Sequence, residues 1–142
     1  MSKVVSLRLK DEQHRRLERA ARRLGRTPTA TAALLLEQRL REQEFPGVVI
    51  KDTVAGPAAF VEGTRWQVWM VVAWLRSEGD DVEAMANRYD DLTPNQVRRA
   101  LAYAEAFPDE VEAAIAETRL SVEELRRVLP GLEVVRPRAP VP

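Results

Sequence analysis

The 142-residue chain has no cysteine, which removes disulfides, thiolate zinc sites and cysteine nucleophiles together and suits a reducing compartment. It has one histidine, His14, on the first expected helix, so no histidine cluster can ligate a metal and no serine has a plausible histidine partner. No glycine-rich phosphate loop occurs among its 6 glycines. Long apolar runs are missing too: the most apolar stretch, Val68 to Leu75, is far too short to span a bilayer. The N-terminus is charged and lacks a signal-like apolar segment. Lysine is scarce, 19 of the 22 basic residues being arginine, as in GC-rich bacterial genomes. These absences set the expectation of a cytoplasmic protein that is no enzyme, with no catalytic residues, metal or cofactor and no membrane.

What is present is an ordinary globular composition, 45% hydrophobic and 31% charged. The formal net charge of zero conceals an asymmetry. Residues 1–44 carry 11 Lys/Arg against 6 Asp/Glu, and residues 45–142 carry 11 against 16. A basic head on an acidic body directs the head toward polyanions.

Val4-Val5-Ser6-Leu7-Arg8-Leu9 alternates as a half-buried strand does, with Val5, Leu7 and Leu9 on one face. Asp11 can cap a helix reaching Leu24, whose inward stripe is Leu17, Ala20, Ala21 and Leu24. Gly25 suits the left-handed residue past a helix end. Thr27 then caps, and Pro28 opens, a second helix reaching about Glu42 with Ala32, Leu35, Leu36 and Leu40 inward. One strand and two helices of about forty residues cannot bury a core alone. Pairing the strand with that of a second copy, four helices intertwining beneath, answers both needs.

This stretch, "VVSLRLKDEQHRRLERAARRLGRTPTATAALLLEQRL", resembles the ribbon-helix-helix DNA-binding proteins, whose fold is such an intertwined dimer. The resemblance implies a two-stranded ribbon in the DNA major groove. Carried over, Ser6 and Arg8 would face base edges with Val4 beside them, Lys3 would lie near phosphates, and Thr27 and Thr29 would bring a helix N-terminus to a phosphate. The bland alternative is that Ser6 and Arg8 are only the solvated side of a strand. Arg15, Arg16, Arg19, Arg22, Arg23 and Arg26 read first as a solvated helix face, some of them in reach of the DNA backbone.

In the body, "EFPGVVIKDTVAGPAAFVEGTR" is punctuated by glycine and proline, and "GVVIK" and "AAFVE" are long enough for a short hairpin. "WQVWMVVAWLRS" reads as a buried helix, its three tryptophans as packing rather than a ligand pocket. Capping-box spacings at Asp80/Glu83, Thr93/Gln96 and Ser121/Glu124, with Pro108 and Pro130-Gly131 as punctuation, predict helices near 67–77, 81–89, 94–106, 109–118 and 122–129. A Pro-rich tail follows. Helices 81–89 and 94–106 have helix-turn-helix spacing, and Asn95, Arg98 and Arg99 on the outer face are a possible second DNA or protein contact. Asp80, Asp81, Asp90 and Asp91 oppose phosphate there, so structural or protein-binding use is favoured. "DEVEAAIAE" sets Asp109, Glu110, Glu112 and Glu117 on one helix, a solvated face before a cation site.

The segments "VEGTRWQVWMVVAWL" and "DVEAMANRYDDLTPNQVRRALAYAEAFPDEV" resemble the domain of unknown function family 433, a small helix-turn-helix-like domain. That resemblance implies the antitoxin half of a type II toxin–antitoxin pair, neutralising a PIN-like ribonuclease. The expected fold is thus mostly α: a ribbon-helix-helix domain over 1–44, a helix-turn-helix-like domain over 45–119, and a C-terminal helix and tail over 120–142. The expected function is a homodimeric DNA-binding repressor joined through its N-terminal strand and helices. Its body would bind the toxin, with residues 120–142 as a candidate grip. The alternative is a stand-alone DNA-binding regulator or DNA-organising protein whose body mediates oligomerisation. A third reading is a scaffold without a DNA role.

Overall fold

A computed structural model describes residues 2–119 and residue 127. The expected helix at 122–129, with its Ser121/Glu124 cap, and the Pro-rich tail therefore lie outside the described residues but for residue 127. The chain divides into two compact units, Met1–Pro46 and Gly47–Pro142.

The first unit consists of α1 (Asp11–Leu24) and α2 (Pro28–Glu44). Residues 2–10 form neither helix nor strand and are exposed throughout. This overturns the expected ribbon-helix-helix fold, because its defining strand at Val4–Leu9 is absent. The physical reason is pairing. Alternation makes a segment suitable for a sheet, but only a neighbour that takes its N–H and C=O groups makes it a strand. Within the described chain no segment lies beside residues 4–9 in a sheet, and Val5 and Leu7 remain 80% and 76% exposed.

Helix boundaries follow local chemistry. Lys10, not Asp11, is the N-cap residue of α1, and the Gln13 side chain accepts from the Lys10 N–H at 3.1 Å. Asp11 and Glu12 occupy the first turn, where their charge opposes the helix dipole favourably. Gly25 ends the helix at φ 62°, and the Arg26 N–H returns to the Ala21 carbonyl at 3.0 Å. Thr27 Oγ1 accepts from the Ala30 N–H at 3.1 Å, and Pro28 occupies the first helical position. Only Ala21 and Thr31 are fully buried in these two helices, and small residues let helix backbones approach closely. Thr31 was not expected inside. Its hydroxyl is satisfied by the Thr27 carbonyl four residues earlier, at 2.9 Å. The expected inward leucines are not sequestered: Leu24, Leu35, Leu36 and Leu40 are 41%, 45%, 56% and 43% exposed.

The second unit begins with an antiparallel hairpin, β1 (Val48–Thr53) and β2 (Gly56–Val61), in register from Val48↔Val61 to Thr53↔Gly56. It belongs to the second unit's own fold instead of marking a boundary between domains. The two-residue turn is held by Thr53, whose hydroxyl donates to the Gly56 carbonyl at 2.7 Å and accepts from the Ala55 N–H at 3.2 Å. Four helices follow: α3 (Val68–Ser77), α4 (Val82–Arg88), α5 (Pro94–Ala106) and α6 (Pro108–Thr118). Thr64 shapes the approach to α3, donating to the Val61 carbonyl at 2.9 Å and accepting from the Trp66 N–H at 3.0 Å.

Here the core is continuous, built from Val48 and Val61 of the hairpin, Val68, Val71, Val72 and Leu75 of α3, Met85, Leu92, Val97, Ala100 and Tyr103, and Val111 and Ile115 of α6. The tryptophans separate. Trp66 is buried and donates to Asp91 Oδ2 at 3.0 Å, Trp69 is half-buried, and Trp74 is half-exposed against Tyr89. The α5 box forms as expected: Gln96 N–H to Thr93 Oγ1 at 3.2 Å, and Thr93 N–H to Gln96 Oε1 at 2.9 Å. The α4 cap lies one residue later than expected. Asp81 Oδ1 accepts from the Ala84 N–H at 3.0 Å, because Asp80 takes the left-handed conformation, φ 62°, at the end of the preceding turn.

Candidate functional site

In the first unit α1 concentrates arginine. Arg15, Arg19 and Arg22 follow one helical row and Arg16 and Arg23 another, by the three- and four-residue spacing that brings side chains to one face. Arg16, Arg19, Arg22 and Arg23 line an open groove of about 850 Å³ whose apolar lining is Leu17, Ala20 and Leu35. None of the four, nor Arg26, has a carboxylate within ion-pair distance among the described residues. Glu18 instead lies 3.2 Å from His14 Nδ1. The groove therefore joins arginines without a direct ion-pair partner among the described residues to half-exposed apolar surface, with Glu12 and Glu18 beside Arg15, Arg19 and Arg22 on the adjoining face.

The residues singled out for DNA contact fall around this unit without forming one site. Lys3, Val4, Ser6 and Arg8 lie on the exposed stretch ahead of α1. Thr27 spends its hydroxyl on its own helix, and Thr29 lies exposed in the first turn of α2. Base reading by a strand ribbon is withdrawn together with the strand.

In the second unit Asn95, Arg98 and Arg99 are exposed on α5. Arg98 is tied to Glu83 at 2.7 Å, and Arg99 lies across Gly47. Asp91 approaches Arg65 at 3.5 Å and accepts from Trp66, so one member of the acidic cluster before α5 has a structural task. Arg76 and Glu112 join α3 to α6 through two hydrogen bonds, Nη1 to Oε2 at 3.2 Å and Nη2 to Oε1. That hydrogen bonding, reinforced by the guanidinium charge, holds the Glu112 carboxyl below its ordinary value and the Arg76 guanidinium above its own.

A site that sequence reasoning missed lies between β2 and α6. Its volume is about 320 Å³. One wall is the strand from Gly56 to Ala59, the other is α6 with Glu110, Ala114 and Glu117, and Tyr103, Val68 and Trp69 also line it. The Tyr103 hydroxyl donates to Glu110 Oε2 at 2.9 Å. The sequence signal was the spacing of Glu110, Ala114 and Glu117, which places all three on one helical row. No group of three or more His, Cys, Asp or Glu side chains among the described residues could hold a metal ion. No described helix is long and apolar enough to cross a membrane.

Residues 48–104 match the model of a family described as a protein of unknown function, DUF433. That segment runs from β1 to most of α5. No curated protein and no solved structure matches the chain. The match supports the resemblance of the body alone. The resemblance of residues 4–40 to ribbon-helix-helix proteins is corrected by a region of two helices with no strand. The family's description names no function, so the antitoxin identity and ribbon-based DNA binding have no support from it.

Proposed function

We propose that the chain is a cytoplasmic, non-enzymatic regulator that acts as a homodimer joined through α1 and α2 and grips the phosphate backbone of a nucleic acid with the arginine face of α1. The observation that supports this reading is the joint state of that unit: arginines without a direct ion-pair partner beside leucines that stay half-exposed among the described residues. Covering a half-exposed leucine contributes roughly 1–2 kcal/mol at about 25 cal/mol per Å² of apolar surface. Four such residues on each of two copies would contribute roughly 8–16 kcal/mol, set against an association cost of about 4–15 kcal/mol. Arginines without carboxylate partners release counterions from a polyanion, which makes affinity fall steeply with salt and carries no sequence preference of its own.

Two measurements test it together. Light scattering after gel filtration should give a dimer that Leu36→Asp with Leu40→Asp converts to monomer. Fluorescence anisotropy with a labelled 20-bp duplex should show salt-dependent binding, its slope reduced by Arg19→Ala with Arg22→Ala. A monomer at tens of micromolar, or binding that ignores salt and both arginines, overturns the reading.

A further inference from the structure

The groove between β2 and α6 has a feature specific to one kind of ligand: part of its wall is the outer edge of a strand. The Val61 N–H is spent outward, on the Trp66 carbonyl at 2.8 Å. In an antiparallel pair the direction of the backbone groups alternates residue by residue. Ala59 and Pro57 therefore also turn their backbone groups away from β1. Proline is tolerated at that position of the strand because its missing N–H would have pointed outward. Past the bridge between Phe60 and Gln67, the Ala59 N–H and the Pro57 carbonyl are left facing the groove, one donor and one acceptor at the spacing of a single paired residue.

The facing wall supplies the rest of the recognition. Ala58, Ala59 and Ala114 keep side-chain bulk out of the space, so another backbone can come close. Glu110 and Glu117 stand seven residues apart on α6, on either side of Ala114. Glu110 is engaged by Tyr103, whereas Glu117 has no partner among the described residues. A volume of about 320 Å³ lies at the small end of ligand sites. That is room for a short stretch of small side chains and not for a large aromatic ligand.

We propose that this groove binds a short extended segment of another protein, which adds to the outer edge of β2 with small side chains turned inward and places an arginine or lysine against Glu117. Charge complementarity selects the occupant: among the described residues the wall opposite the strand edge carries carboxylates and no cation, so an acidic segment is repelled and a basic one is held. The inference concerns the second unit only and stands apart from nucleic-acid binding by the first.

The test is selection of peptides from a random displayed heptapeptide library on the full chain, followed by titration of a fluorescent copy of the best binder. The expected consensus is one basic residue flanked by Ala, Gly, Ser or Val. Glu117→Gln should weaken that peptide about tenfold, the range lost with one charge-assisted hydrogen bond, and Glu117→Arg should weaken it further. Ala114→Trp, which fills the groove, should abolish binding, and methylating the peptide backbone nitrogen that donates to the Pro57 carbonyl should do the same. Circular dichroism checks that each variant is folded. Finding no consensus, a consensus without a basic residue, or equal binding to the Ala114→Trp chain overturns the proposal. So does conversion of a dimer to a monomer by Ala114→Trp, which would assign the groove to a second copy.

Discussion

Gly47→Ala is the most informative single change in the second unit, because two independent costs meet at one atom. Gly47 has φ 91°, a conformation that L residues rarely adopt, and an added Cβ would lie 2.6 Å from Arg99 Cδ and 2.8 Å from its Nη1. The backbone cost is about 1–2 kcal/mol. Displacing Arg99 into a poorer rotamer adds about 0.5–1.5 kcal/mol. The Gly47 carbonyl also accepts from the Glu62 N–H at 2.9 Å, so rotating the peptide to relieve strain would break the pair that closes the hairpin. Gly47→Ala should therefore cost about 2–3 kcal/mol in urea unfolding followed by tryptophan fluorescence, at one fixed protein concentration because association shifts apparent stability. In an Arg99→Ala background only the backbone part should remain, leaving a coupling of about 1 kcal/mol between the two sites. Equal costs in both backgrounds refute the contact, and a cost below about 0.5 kcal/mol in the Arg99→Ala chain refutes the strain.

Thr93→Ala removes the hydroxyl that caps α5 and should destabilise the chain by about 1 kcal/mol, read as a lower urea midpoint with an unchanged slope. An unchanged midpoint would mean that water caps α5 equally well. Arg76 holds the Glu112 carboxyl below its ordinary value, chiefly by hydrogen bonding. The pair's contribution is therefore present above the unfolded-state value and lost as pH falls through the folded one. An NMR titration should place the Glu112 carboxyl below a free glutamate, Arg76→Ala should return it to the ordinary range, and Glu112→Gln should remove this part of the acid-side loss of stability. A Glu112 titration unmoved by Arg76→Ala refutes the assignment.

What could be read from the sequence was mostly what depends on neighbours in sequence. Thr27-Pro28 and Thr93-Pro94 mark helix starts because cap, proline and first-turn N–H all lie within four residues. The same reasoning was one residue out at Asp80, where the left-handed turn displaces the cap to Asp81. It failed at Val4–Leu9, since alternation reports suitability for a sheet while pairing is decided by the rest of the fold. Thr31 was not among the residues expected inward, because apolar spacing does not mark a threonine whose hydroxyl is satisfied within its own helix. The groove between β2 and α6 left only part of itself in the sequence. Its walls come from residues 53–59 and 110–118, brought together only by packing, while its charged row on α6 was visible but read as solvated.

The unequal cores of the two units lead to a last prediction about how they fold. Residues 47–119 contribute nearly all the fully buried side chains, spread over both strands and α3 to α6. In α1 and α2 only Ala21 and Thr31 are fully buried. Isolated helices of this length are marginal in water, and two of them meeting through an alanine and a threonine gain little apolar burial. A peptide of residues 1–46 should therefore show helical ellipticity at 222 nm that rises with concentration over the micromolar range, as α1 and α2 cover their leucines with a second copy. Residues 47–142 should unfold in one cooperative urea transition whose midpoint is independent of concentration. Full helicity of the peptide at every concentration would show that Ala21 and Thr31 suffice, and would remove the physical reason for joining two copies through these helices. Helicity that stays low throughout would place the dimer contact elsewhere, because exposed leucines that cannot order their own helices cannot hold two chains together.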